Sequence, residues 1–333
     1  MTVSVRAADQ VAAQVRLKPG PTFPGQTPPM THSDLVLVLG ADGTVARAAL
    51  QSLLQRDAAI RALVRRELPD RDPRVQWVLG DLREQGVLRQ ALVGVRTVLY
   101  VTPHADEEVA MADLVVAECR RAGARLVFVG VHESGRTVRG RLSRLLFKAM
   151  IPAYRPKLDL AAMVEATSPE AVMLVPSNFY DNDLLFLPDI LAGNFPTPLR
   201  GVNRVAACDI GEVAATALTD LGFPTGTYGI FGPVSLTGAE SAAVWAEVLG
   251  RPVHYTGDDK VAWEATLCRR IPDGKKRRDW RNSFRTLSWL TWAASDREVE
   301  ETTRLLGRAP TAYRAWVQDQ VKPLVDSGAQ AIC

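Results

Sequence analysis

From Ser33 onward, short apolar runs alternate with stretches whose apolar positions recur every three or four residues. The runs cover 35–39, 60–64, 75–79, 97–101, 125–131 and 171–175, and their leucine and β-branched content predicts strands buried on both sides. Between them, 45–54, 87–93, 107–121 and 158–166 carry helical spacing. Strands that alternate with helices in this way predict an α/β fold, a doubly wound parallel sheet covered on both faces. After Pro176 the alternation stops, and prolines and aromatics become frequent. Asp209 is expected to cap a helix running to Leu218, residues 228–231 resemble one more strand, and the rest to about Val325 reads as mainly helical. The expected organisation is a cofactor domain over 33–175, with 205–232 returning to it, and a smaller helical substrate or lid domain over 176–204 and 233–333. Residues 1–32, rich in proline and without sustained period, read as a flexible extension with a short helix near 7–15, and either Met1 or Met30 fits as the start.

Composition narrows little. Hydrophobic residues make up 47% and charged residues 23%, both ordinary for a globular chain, and the net charge of +3 selects no partner. The cysteines Cys119, Cys208, Cys268 and Cys333 lie far apart, which fits reduced thiols and offers no zinc or disulfide framework. No run approaches the roughly 18 apolar residues of a membrane span, and the first 30 residues lack the apolar core of a signal peptide. A cytoplasmic protein without membrane or metal is expected.

The chemistry begins where the first strand ends. Gly40-Ala-Asp-Gly43-Thr-Val-Ala46 joins that strand to the first helix, an arrangement that presents backbone N–H groups to a dinucleotide phosphate. A small residue lets the chain turn at Gly40 and lets phosphate approach at Gly43, so Gly40, Asp42, Gly43, Thr44 and Val45 form a candidate cofactor loop. A carboxylate beside a pyrophosphate repels it, so Asp42 is read as a helix cap turned away from the ligand. The second strand ends in Arg65-Arg66, where NAD sites usually hold an acid ~20 residues beyond the glycines. Guanidinium groups there match a 2′-phosphate, favouring NADP(H) over NAD(H); two solvated arginines are the plainer reading.

Further candidates follow along the carboxyl ends of the strands. Asp81, before Leu82, is either the start of a capping box with Glu84 or an acceptor for the adenine amino group. Thr102 and Pro103 close the fourth strand beside the nicotinamide position, with His104 next to them, and His132 follows the fifth strand. In Tyr154-Arg-Pro156-Lys157, the proline suits a first helical turn. Lys157 then shares a face with Ala161 and Val164 and points inward, either to the nicotinamide ribose and the chemistry or as a snorkelling lysine. Phe179, Tyr180, Phe186 and Trp263 are candidates for a substrate wall. The basic run 275–278 reads as a solvated loop rather than a nucleic-acid contact.

Taken together, these stretches resemble the NmrA-like family of atypical short-chain dehydrogenase/reductases, over about residues 34–322. The resemblance rests on the glycine loop, Val64-Arg65-Arg66, Gly80-Asp81-Leu82, Pro176-Ser-Asn178-Phe179-Tyr-Asp-Asn182, Cys208-Asp209-Ile210-Gly211-Glu-Val213-Ala214-Ala215, Leu249-Gly250-Arg251-Pro252-Val253 and Leu306-Gly307-Arg308-Ala309-Pro310. It implies a Rossmann fold with a small substrate domain, Arg65 on the 2′-phosphate, and Lys157 as the family's lysine, with Tyr154 beside it. It also implies NADPH-dependent reduction of aromatic, quinone or enone-like molecules, or a non-catalytic NADP(H) sensor with a protein partner. A cofactor-assisted tailoring enzyme and a homodimer stay open. The chain departs from its relatives at Asp42, where Thr is usual, at Ala46 in place of a third glycine, and at Gly130-Val131 in place of Ser-Ser. Tyr154 and Lys157 are also one residue closer than in the Tyr-x-x-x-Lys pair of short-chain dehydrogenases.

Overall fold

A computed structural model describes residues 34–69, 71–131, 138–150, 154–271 and 274–326. The expected N-terminal extension with its short helix, and His132, lie outside the described residues. The described residues divide into two compact units, one holding those within 34–176 together with 210–229, the other those within 177–209 and 230–326.

In the first unit, β1 (Leu35–Leu39), β2 (Ile60–Val64), β3 (Val75–Leu79), β4 (Val95–Val101), β5 (Arg125–Val129) and β6 (Val172–Pro176) form parallel neighbours. The strands β7 (Asn178–Phe179), β8 (Asn194–Phe195) and β9 (Val202–Val205) come next in the chain and belong elsewhere, and β10 (Gly226–Ile230) then joins the edge of this sheet. The order is β10-β6-β5-β4-β1-β2-β3, so the chain winds outward in both directions from β1 and β4, as a Rossmann-like fold does.

All five residues of β1 are buried, and the pleat sends alternate ones to opposite faces. Leu35, Leu37 and Leu39 share a core with residues of α2 (Gln85–Ala91), α3 (Glu108–Ala122) and α5 (Arg155–Thr167). Helix α4 (Val138–Met150) precedes α5, and Arg144 on it reaches Glu165 on α5 at 2.9 Å. Helices α1 (Thr44–Gln55) and α6 (Ala207–Thr219) pack on each other at Gly211, where an added Cβ would lie 2.5 Å from the Ala48 carbonyl carbon. That approach accounts for the small residues of the 208–215 stretch. Asp209 does not cap α6: Asp181 accepts the N–H of Ala207 at 2.9 Å, while Asp209 lies inside the first turn and binds Arg308 at 2.8 Å and the Thr311 N–H at 2.7 Å.

The second unit has the three-stranded order β11-β9-β7, with β11 at Ser235–Leu236, and the pair of β8 with β12 (His254–Tyr255). Its helices include α7 (Gly238–Leu249), α8 (Lys260–Arg270), α9 (Gly274–Leu287), α10 (Asp296–Leu306) and α11 (Tyr313–Trp316). The basic run is therefore helical, since lysine and arginine are good helix formers and Phe284 and Leu287 on the same helix are buried. Lys275 there pairs with Asp279 at 3.0 Å.

The core of this unit surrounds an ion pair. Asp183 and Arg204 are fully buried, and one guanidinium nitrogen reaches both carboxylate oxygens at 2.9 and 2.8 Å. Arg204 also donates to Ser241 Oγ at 3.0 Å, Tyr313 donates to Asp183 at 2.6 Å, and Trp245 donates to the Tyr313 oxygen at 2.6 Å. The guanidinium stacks over the Tyr313 and Tyr180 rings at 4.6 and 5.5 Å. Burial and the Asp183 charge push the Tyr313 hydroxyl far above its ordinary range, so it stays a donor. A charge left alone here is costly to bury. Asp183→Ala is expected to lower stability by about 3–5 kcal/mol in urea unfolding. The double replacement Asp183→Leu with Arg204→Met should recover at least half of that loss.

Candidate functional site

The carboxyl ends of β1, β2 and β3 are tied together by backbone. Gly40 N–H donates to Leu63 O at 3.0 Å, and Gly80 N–H donates to Val64 O at 3.0 Å. The glycine loop, Arg65-Arg66 and Gly80-Asp81 therefore leave the sheet at one edge, where ligands bind in open α/β sheets.

Gly40 has φ +63°, the left-handed region that favours glycine, and its carbonyl accepts the Gly43 N–H at 2.9 Å. Gly43 is the N-cap of α1, and no side chain caps that end. The first-turn N–H groups from Thr44 onward thus point toward the loop, with the positive end of the helix dipole behind them. Val45 is buried in the core by its side chain, so it offers this edge only its backbone. Asp42 is not the cap that the sequence suggested, because Gly43 occupies that position. Its carboxylate instead lies 3.9 Å from Arg66 Nε.

Arg65 is exposed at the end of β2, close enough to Asp81 for its charge to act on that carboxylate. The capping box expected of Asp81 and Glu84 does not form: α2 starts at Gln85 with Glu84 as N-cap and no side-chain cap. Asp81 is occupied by Arg83, whose backbone N–H, Nε and Nη2 all donate to it, and this holds its carboxyl down at about 2. Leu82 packs partly buried against the sheet core. Thr102 and Pro103 follow β4 half-buried.

On the other side of β1, Tyr154 is the N-cap of α5 and Pro156 stands in its first turn. Lys157 points inward with Ala161 and Val164, which are buried. It does not snorkel: its ammonium donates to Glu108 Oε2 at 3.2 Å, with the lysine side chain 17% exposed and the glutamate 2%. The sequence reading missed Glu108, although a signal was there. Glu108 falls in register with Met111, Ala112, Val115, Val116 and Cys119, the buried face of α3, and a carboxylate on an apolar face calls for a partner. Tyr100 on β4 lies in the same core with its hydroxyl buried and unpartnered, and burial with the Glu108 charge pushes that phenol up.

The aromatic wall fares differently. Tyr180, Phe186 and Trp263 are core residues: Tyr180 packs on Tyr313 and Trp316, Phe186 on Trp280, and Trp263 on Phe284. Their size and apolarity suit a core as well as a pocket. Phe179 is half-buried on β7. Among the described residues no cluster of metal-binding side chains occurs, and no helix is long and apolar enough to cross a membrane.

The comparisons with known proteins concern the whole domain that carries this loop. The model of a family described as NAD(P)H-binding matches residues 40–221. An NAD(P)H azoreductase of Xenophilus azovorans is 31% identical over 231 residues, covering 66% of this chain and 76% of the relative. Among solved structures, a triphenylmethane reductase of Citrobacter sp. superposes with TM-score 0.68 at 20% identity, covering 87% of this chain and 99% of the other. An NADPH-dependent quinone oxidoreductase of Escherichia coli superposes with TM-score 0.63 at 15% identity, over 87% and 99%. The fold and its open helix end define a Rossmann-like nucleotide-binding protein. The chain belongs to the NAD(P)H-binding family, and the NmrA-like resemblance is consistent with that membership.

The turn can be tested without touching a side chain. An added Cβ at Gly40 meets nothing within 4 Å, so the cost of Gly40→Ala is backbone strain alone. That substitution is expected to destabilise by about 1–2 kcal/mol and to weaken cofactor binding. Gly40→Asn should cost much less, because asparagine tolerates the left-handed region; thermal unfolding and cofactor titration read both.

Proposed function

We propose that this protein is an NADPH-dependent reductase of small apolar or aromatic acceptors: a quinone, another activated carbonyl or alkene, or an azo compound. The observation that carries the choice of NADPH is Arg65, exposed at the end of β2 on the edge that holds the open N-terminus of α1. A guanidinium there answers a 2′-phosphate, whereas an acid would answer a 2′-hydroxyl. The azoreductase relative supports the reductase class, and the two solved structures supply the same fold.

In this reading the N–H groups of the first turn of α1 hold the pyrophosphate. Arg65 carries the 2′-phosphate. Arg66 contributes less, because Asp42 already faces it. Asp81 stays ionised beside Arg83 and in this reading also accepts from an adenine amino group. Bound NADPH supplies a hydride. Lys157, held by Glu108, acts at the nicotinamide end in this reading, where Thr102 and Pro103 at the end of β4 also contribute. Residues 177–209 and 230–326 carry the substrate determinants, Phe179 among them. The described cysteines are free thiols, in keeping with work in the cytoplasm.

A sensor of NADP(H) without turnover draws support from Gly130, which has no side chain to donate where the usual short-chain dehydrogenases place a serine. Turnover separates the readings: the reductase oxidises NADPH in the presence of quinone or azo acceptors, and the sensor does not. Arg65→Ala is expected to weaken NADPH binding at least tenfold, about 1.4 kcal/mol, with NADH binding nearly unchanged in fluorescence titration. Equal losses for both cofactors would remove Arg65 from the 2′-phosphate.

A further inference from the structure

We propose that Glu108 is a positioning residue that fixes Lys157 as a cation at the carboxyl edge of the sheet, where the ammonium stabilises negative charge developing on a neutral hydride acceptor. This rests on the reductase reading and deepens it.

Both residues stand in the first turns of their helices, Glu108 opening α3 and Lys157 following Pro156 in α5. In a parallel sheet with returning helices, those first turns lie at the carboxyl ends of the strands. The carboxylate is almost wholly buried and the ammonium mostly so, at 3.2 Å. Other charged groups on the surrounding elements are engaged elsewhere: Lys148 on α4 pairs with Asp159, Arg155 donates to the Lys148 carbonyl, and Arg144 pairs with Glu165. From β4, the Tyr100 hydroxyl faces this core, and burial keeps it neutral. The connection from β4 to α3 also brings His104, Asp106 and Glu107 to this edge. An ammonium has three donors, and Glu108 takes one in a fixed direction. The remaining directions suit a ribose hydroxyl and an acceptor oxygen or nitrogen.

The role of this charge depends on the substrate. Hydride addition to a neutral quinone leaves NADP⁺ and a hydroquinone anion, which then takes one proton from water. Hydride addition to a triarylmethane cation forms a C–H bond and a neutral product, with no anion and no proton. A fixed cation helps the first reaction and has nothing to stabilise in the second.

The test compares wild type, Glu108→Gln and Glu108→Asp, each loaded with NADPH, on menadione and on crystal violet. Glu108→Gln is expected to slow menadione reduction tenfold or more in kcat, and to slow crystal violet reduction at least fivefold less than menadione reduction. Glu108→Asp should restore part of the menadione rate. Equal loss on both acceptors, or a menadione rate unchanged in Glu108→Gln, overturns the proposal and leaves the reductase reading standing. Failure of wild type on both acceptors sinks that reading and the proposal with it.

Discussion

Two backbone hydrogen bonds, Gly40 N–H to Leu63 O and Gly80 N–H to Val64 O, close the carboxyl ends of β1, β2 and β3 into one edge. Everything assigned to cofactor recognition depends on that closure. It brings Arg65, more than twenty residues further along the chain, to the edge that holds the left-handed turn at Gly40 and the uncapped helix end at Gly43. The bonds exist because the strands are parallel and in register, and the register holds because residues on both faces of β1 are buried. A slip by one residue would turn the leucines of β1 out of their core and break the edge at once.

The second unit solves a different problem. Its short strands bury few residues, and its core forms around Asp183, Arg204 and Tyr313, which bond one another while Arg204 Nε is left without a hydrogen-bond partner. Removing one member of the ion pair would leave a buried charge uncompensated. The same economy appears in the first unit at Glu108 and Lys157. There the pair joins the first turns of α3 and α5 at 3.2 Å.

The fold was legible because its signals are periodic. The limits of β1, β2 and β3 follow from apolar runs alone, and α1 and α3 differ from their expected ends by one residue. Helix α4 went unread, its apolar residues being mixed with Arg139, Arg141, Arg144 and Lys148. Caps were read poorly. Asp42, Asp81 and Asp209 each looked like a cap, and each instead faces an arginine: Asp81 a local one, Arg83, two residues away, and Asp42 and Asp209 the distant Arg66 and Arg308, which the fold brings near. Local spacing shows which group wants a partner, and for the two distant pairs tertiary structure decides which partner it gets. The same limit applies to Tyr180 and Trp263, since an aromatic side chain reads alike in a core and in a pocket wall.

The most direct measurement is a crystal structure with NADP⁺ bound. The account predicts the pyrophosphate over the N–H groups of Thr44 and Val45, the 2′-phosphate against Arg65, and the Lys157 ammonium within hydrogen-bond reach of the nicotinamide ribose. A pyrophosphate bound away from the end of α1, or an Arg65 turned to solvent with the 2′-phosphate held elsewhere, would contradict it.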